Sequence, residues 1–498
     1  MRARPASGVL ALALALSACT PGADDGPAAS AGAAAGARLA APGARTAVVP
    51  ESGGAQAAAA LSAHLVAASA SVVVAADEPA AMERGAAVAA GLGVPLLLPG
   101  PEAAAEVRRL GAREVLTVGG AARSWAERTL TGRGDPDVRD AGDAGDAGDP
   151  RPAPQSRADA PVVLVTGAPW EAAAAATARA VGARVLTVPS GDPRAERATV
   201  EALHAAAPGH VVGLGPAFAA PEVFTERVES ALTGVQVPGG GQLPLEGRRM
   251  VALYGHPGTP SLGLLGEQPV GATIERAREL AARYDGLGGL PAVPTLEVIT
   301  TVASGAPGAD GDHSTEVDPA ELEPWVDAAG AAGVAVLLDL QPGRSDFLSQ
   351  ARLYEPLLRR PHVGLALDPE WRLAPDQVHL EQIGSVGAQE VNAVGDWLAQ
   401  LVRENDLPPK VFLLHQFRTS MVRERERVDT GHDELVTVVH ADGHGTPGMK
   451  RATYRALTAG GPAGLRWGWK NFLDEDDPTF TPEQTVAVEP SPVFVSYQ

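Results

Sequence analysis

Asp368 and Glu370 stand one proline apart in VGLALDPEW, residues 363–371, where an apolar run breaks into two acids and a tryptophan. If the run is a buried strand, its period of two puts both carboxyls on one face, just past the strand's C-terminal end. Two close carboxyls resist ionising together, so one keeps a proton near neutral pH and can act as a general acid. Glu370 is the candidate acid, with Asp368 and Asp339 as supporting carboxyls.

Other apolar runs also end in residues able to do chemistry. Tyr254 and His256 close one, Glu297 lies in the next, and Asp339 with Gln341 ends a third. His415 and Gln416, then His440, Asp442 and His444, then Trp467, Trp469 and Lys470 follow the later runs. Carboxyls beside tryptophans are the composition of a carbohydrate site, since indoles stack on sugar faces while carboxyls move protons. The expected substrate-binding residues are therefore Tyr254, Trp371, His415, Gln416, Asp442, Trp467 and Trp469. The stretch HADGHGTPGMK places His440 and His444 four apart, but Gly443 and Gly445 oppose the helix that would make them paired metal ligands. No metal and no cofactor is called for. Two alternatives stay open: an Asp/His hydrolase such as a deacetylase built on Asp339, His415 and Asp442, and a non-catalytic rim in which Arg344 or Arg372 pairs the acids. Pro369 denies a ladder hydrogen bond and ends the fourth run early.

The elements that must position these residues are strand-like runs at 250–254, 296–301, 334–338, 363–367, 411–414, 435–439, 464–466 and 493–497. Helical stretches at 273–284, 321–332, 347–358, 388–404 and 450–457 separate most of them. Eight strands with intervening helices over about 250 residues is the size of a (β/α)₈ barrel, which gathers its strand ends around one mouth. The barrel is expected over 249–498, after a glycine-rich hinge at 234–247.

Ahead of it, 48–232 reads as two α/β units. Strands at 72–76, 94–98 and 114–118 alternate with helices at 80–91 and 101–110, and the order recurs at 162–166, 171–181, 184–188, 195–207 and 210–214. An offset of ~90 residues with strand and helix alternating means parallel sheets, a flavodoxin-like arrangement. Residues 132–161, with tandem Ala-Gly-Asp triplets, read as a low-complexity linker. Residues 20–47 read as a disordered tether, and Ala-rich runs as helix surface or linker.

The chain has 498 residues and a formal net charge of −20. That charge opposes nucleic acid as a partner, because a phosphate backbone needs a basic stripe. Arg2 and Arg4 precede a short apolar run at 9–16, the layout of an export signal.

Leu16, Ser17, Ala18 and Cys19 resemble the lipobox of bacterial lipoproteins, which implies cleavage before Cys19 and a diacylglycerol anchor on it. Cys19 is the only cysteine, so no internal disulfide competes for it. The resemblance implies an extracytoplasmic protein tethered through its N-terminal lipid to the outer face of the cell membrane. VPLLLPGPEAAAEVRRLGAREVLTVGG, residues 94–120, resembles the type 2 cell wall-binding repeat of Gram-positive surface proteins, and so implies a wall polysaccharide or peptidoglycan as partner. A flavodoxin-like scaffold without a ligand is the alternative. The Asp368-x-Glu370 pair resembles the D-x-E of barrel glycosidases such as family 18 chitinases and family 25 lysozymes, which implies Glu370 as the acid. Residues 294–474, with LDPEW and VVHADGHGTP, resemble barrel domains of actinobacterial exported lipoproteins, a likeness that carries fold and location but no established activity. The functions expected are binding and hydrolysis of a cell-wall glycan or, alternatively, wall binding by sugar stacking alone.

Overall fold

The computed structural model describes residues 36–132, 134–142 and 160–498. The export signal, the lipobox with Cys19, residues 20–35 of the expected tether and most of the triplet linker lie outside the described residues. Among the described residues no helix is long and apolar enough to cross a membrane.

The C-terminal half is a closed barrel of eight parallel strands: Arg249–Gly255, Ala292–Ala303, Ala335–Leu340, Val363–Leu367, Lys410–Gln416, Leu435–Ala441, Arg466–Asn471 and Phe494–Tyr497. Each pairs with the next, and the first closes the ring by pairing with both the second and the eighth. Most of these strands are buried along their whole length, as a parallel sheet covered by helices requires, and so they read as continuous apolar runs. Alternate residues divide the work. Met250, Ala252, Val293, Ala335, Leu337, Ala366, Val411, Leu413, Val438 and Phe494 fill the barrel's interior. Their neighbours, such as Val251, Leu296, Val336, Leu365 and Phe412, face the surrounding helices.

Those helices include Val270–Ala282, Pro319–Ala331, Phe347–Leu353, Ala388–Glu404 and Pro447–Thr458. Three start on a side-chain cap: Asp318 accepts from the Ala320 N–H, Asp346 from Ser349 and Thr446 from Met449, each satisfying one of the helix's orphan donors. The seventh strand lies further along the chain than expected. The run 464–466 is its approach, and the strand itself carries Trp467, Trp469 and Lys470, which its mixed aromatic and charged sequence disguised.

The N-terminal half holds two four-stranded parallel sheets. One runs in the order Leu96–Leu97, Ser71–Ala75, Glu114–Val118, Asp137–Asp140; the other Thr46–Val49, Val211–Leu214, Val162–Val165, Arg184–Thr187. The end of the expected tether is therefore structured: Arg38–Leu39 pairs with Val66–Ala68, and Thr46–Val49 joins the second sheet beside Val211–Leu214. Asp137–Asp140, inside the expected linker, pairs as the edge strand of the first sheet. The Ala-rich runs are core rather than surface. Ala57 and Ala58 of the helix Gly54–Leu65 and Ala173, Ala174 and Ala178 of Ala172–Ala180 are all buried in one cluster. Thr177 ties the units together, donating from its hydroxyl to Leu96 O at 2.8 Å and accepting from Leu96 N at 2.9 Å.

The second α/β unit meets the barrel through Asp433, which lies 2.8 Å from Arg194 and 2.5 Å from Arg227. Asp192 completes the cluster at 2.7 Å from Arg194. Burial pushes the Asp192 carboxyl up, but the two guanidiniums outweigh it and hold the group below the usual carboxylate range.

Candidate functional site

Two residues beyond the apolar interior layer, each strand turns one polar side chain inward. In chain order these are Tyr254, Glu297, Asp339, Asp368, His415, His440, Lys470 and Ser496, none more than 4% exposed. The period of two that packs Ala252, Leu337, Ala366, Leu413, Val438 and Phe494 below them fixes this ring above. The ring sits at the C-terminal ends of the strands, the face where barrel chemistry is built.

His415 is the hub. Its Nε2 lies 3.0 Å from Glu297 Oε1 and 3.7 Å from Asp339 Oδ1, and its Nδ1 lies 3.1 Å from Asp442 Oδ2. Burial alone would push the imidazole down, but the charges of Asp339 and Glu297 and the hydrogen bonds to Asp442 and Glu297 raise it well above its ordinary value. As an imidazolium it donates from both nitrogens and balances the surrounding carboxylates. The Tyr254 hydroxyl donates to Asp339 Oδ2 at 2.8 Å and accepts from Gln341 Nε2 at 3.3 Å. Burial and the Glu297 charge lift Asp339 to about 6, with His415 pulling the other way.

His440 is the opposite case. Burial first, then the positive charges of His415 and Lys470, hold it well below its usual range, so it is neutral. Its Nε2 lies 2.7 Å from Ser496 Oγ. Gly468 makes room for it, since a Cβ there would fall 2.3 Å from His440 Nδ1.

Asp368 makes no side-chain hydrogen bond among the described residues, and burial together with the Glu370 charge raises it well above the carboxylate range. Glu370 is half-buried and is lifted to about 7 by burial and by Asp442, against the opposing charges of Lys470 and His415. The two acids feel each other's charge, but the pleat does not align them. The strand ends at Leu367, and the 3₁₀ turn Pro369–Trp371 carries Glu370, fixed where its carbonyl accepts from Gly384 N at 2.7 Å. Neither candidate arginine pairs these acids. Arg344 donates to Gln377 O at 2.7 Å, and Arg372 to Glu390 at 2.9 Å.

Five buried atoms of this cluster have no hydrogen-bond partner among the described residues: Glu297 Oε2, Asp339 Oδ1, Asp368 Oδ1, His440 Nδ1 and Asp442 Oδ1. Each unsatisfied group costs about 1–3 kcal/mol, an arrangement that suits a site completed by a ligand or by water rather than a packed core.

The structure brings together Glu370, Asp368, Asp339, Tyr254, His415 and Asp442 of the expected residues. It removes three others. Trp469 points outward from its strand, 1% exposed, against Tyr454 and Phe480, with its Nε1 donating to Asn471. Trp467 shares that outward face, and Arg425 lies over its ring. Gln416 alternates with His415 and so also points outward, where its Oε1 accepts from Arg425 at 3.2 Å. Trp371 remains next to Glu370, but His379 stacks on its ring at 4.7 Å. His444 is exposed and apart from His440. The ring adds Glu297, His440, Lys470 and Ser496 to the expected set. Counting two residues on from the inward Val438 and Phe494 would have found His440 and Ser496; Glu297 and Lys470 follow Thr295 and Gly468, which carry no apolar signal.

These features define the class of the protein: a closed parallel (β/α)₈ barrel with a polar, carboxyl-rich ring at its C-terminal mouth, preceded by two parallel α/β sheets. No family model and no curated protein matches the chain. A solved structure of Cwp6 from Clostridium difficile is similar at 13% sequence identity and a TM-score of 0.32, covering 59% of this chain and 63% of that one. This chain thus spans less than two thirds of that structure's length, and a likeness at this level decides nothing about activity.

Proposed function

We propose that the barrel is a hydrolase of a cell-envelope glycan in which Glu370 is the general acid. The observation that carries this reading is the place of Glu370: a half-buried carboxyl on the turn after the fourth strand, with no ion-pair partner among the described residues and lifted to about 7 by burial and by Asp442. A carboxyl so poised holds its proton at neutral pH and can deliver it to a leaving-group oxygen. Asp368, buried behind it, is itself raised well above the carboxylate range by burial and the Glu370 charge, so it stays neutral beside the acid. Asp339, oriented by Tyr254 at 2.8 Å, supplies negative charge for the positive character that develops on a sugar ring during cleavage. His415, with both nitrogens committed to carboxylates, positions those groups and is not free to act as a base. That disfavours the deacetylase alternative. The outward packing of Trp467 and Trp469 likewise disfavours a mouth that only stacks on sugars.

On this reading the N-terminal α/β units hold the barrel against wall polymer, and Cys19 anchors the chain outside the cell membrane. The test is to incubate the folded chain with peptidoglycan and with secondary wall polysaccharides and follow reducing ends. Release by the parent and none by Glu370→Gln is expected. Equal release by both would remove Glu370 from the role, and no release by the parent from any wall polymer would remove the hydrolase.

A further inference from the structure

The chain contains three lysines, Lys410, Lys450 and Lys470, among forty basic residues, and all three are buried. Where arginine serves nearly every basic position, a lysine marks a place that needs a compact ammonium with three rotatable donors. Two of them show that use. Lys410 Nζ donates to Arg360 O at 2.9 Å and Val363 O at 2.8 Å. Lys450 Nζ donates to Gly443 O at 2.9 Å and Lys470 O at 2.8 Å, and pairs with Asp476 at 2.8 Å.

Lys470 has no such partners. Among the described residues its ammonium has neither a hydrogen-bond acceptor nor an ion-pair partner. Its contacts are aromatic: Nζ lies 3.5 Å from the Tyr254 ring centroid and 5.0 Å from that of Phe472. A ring face replaces only part of the hydration that a buried ammonium loses. The Tyr254 hydroxyl is bonded to Asp339 and Gln341, and the ammonium sits over the ring face instead of at that oxygen. Glu370 and Asp339 feel the charge of Lys470, yet neither comes within ion-pair reach. Glu297, Asp339 and Asp442 are gathered around His415 instead. One side of the mouth therefore presents a cation with its donors unused.

We propose that Lys470 is an anion subsite, and that the glycan taken by the mouth carries a carboxylate or phosphodiester group whose oxygen bonds the ammonium beside the Tyr254 ring. The inference rests on the reading of the barrel as a glycan site and narrows its substrate to acidic polymers.

Calorimetric titration separates the two ideas. The full chain carrying Glu370→Gln, which keeps ligands uncut, is titrated with three probes: an oligogalacturonate, an oligo(glycerol phosphate) and a neutral chito-oligosaccharide. At least one acidic probe is expected to bind about tenfold or more tighter than the neutral one. That gap should shrink as salt rises from about 0.05 to 0.5 M, disappear in Lys470→Met, and survive in part in Lys470→Arg. Equal affinity for charged and neutral probes, or a gap that salt leaves intact, overturns the anion subsite and spares the glycan site. Failure of all three probes to bind overturns both. The salt series on the Lys470 parent keeps the test decisive even if Lys470→Met does not fold.

Discussion

His415 and Glu297 meet at 3.0 Å inside the barrel with both side chains fully buried, and this contact joins the second strand to the fifth across the interior. It belongs to a unit in which one imidazolium faces Glu297, Asp339 and Asp442. Removing the cation leaves acids buried without compensation, the costly direction for any buried ion pair. His415→Asn should therefore destabilise the protein by about 3–5 kcal/mol, read as a lower denaturant midpoint. A midpoint within error of the parent would mean that the acids do not depend on His415.

The raised acids give stability a definite pH dependence. Asp339 at about 6 and Glu370 at about 7 hold protons more tightly folded than unfolded, where such groups titrate near about 4. The unfolded state thus binds fewer protons across this interval, and stability falls as pH rises from about 4 through 7. His415, also raised in the folded state, adds stability that is complete below its unfolded value of about 6.5 and is lost only at higher pH. Glu370→Gln should flatten the slope between about pH 5 and 7 in urea melts taken at each pH. An unchanged slope would place Glu370 at an ordinary carboxylate value.

For catalysis, Glu370→Gln should lower glycan cleavage by about 10²–10⁴-fold, the usual contribution of a positioned acid, without loss of helical circular dichroism. In the parent, activity should decline above about pH 7 as Glu370 loses its proton. A pH profile that stays flat from 6 to 9 would assign the acid elsewhere.

Trp469 tests what the mouth excludes. With 1% exposure between Tyr454 and Phe480, Trp469→Ala should cost about 3–5 kcal/mol of stability while leaving the affinity of folded protein for glycan unchanged. A selective loss of affinity at full stability would return this indole to the site.

How much of this was legible in the chain depends on period and on distance. The barrel was legible because its strands are apolar runs separated by helical stretches, and Asp339, Asp368 and His415 were legible as the polar residues where those runs end. Gln416 was misread because a strand end carries two adjacent polar residues and only one can face inward; His415 takes that side. The seventh strand was displaced because Trp467 and Trp469 look like site residues, whereas they are its outward, packed face. Glu370 lies on a 3₁₀ turn after the strand and not in the pleat that the alternation suggests. The membership of Thr46–Val49 in the second sheet has no local signature, since strand order is decided by contacts far apart in sequence. The Ala-rich helices hid for a different reason: small side chains read as unremarkable surface, yet they let two helices approach closely in the core.

The sharpest test of the ring's packing is Gly468. It lies on the inward face of the seventh strand, opposite His440 in register, and a Cβ there would stand 2.3 Å from His440 Nδ1. The imidazole cannot swing aside freely: its Nε2 is bonded to Ser496 Oγ at 2.7 Å, and its ring meets His415 at 5.2 Å and Phe494 at 5.0 Å. Gly468→Ala should therefore cost about 1–3 kcal/mol by overpacking. Because one atom pair carries the clash, His440→Ala in the same chain should recover a large part of that loss, giving a coupling of about 0.5–3 kcal/mol in a double-mutant cycle. Additive losses in the cycle would mean that Gly468 is required by its backbone or by Phe494 O, which lies 3.2 Å from the same Cβ position, and not by His440.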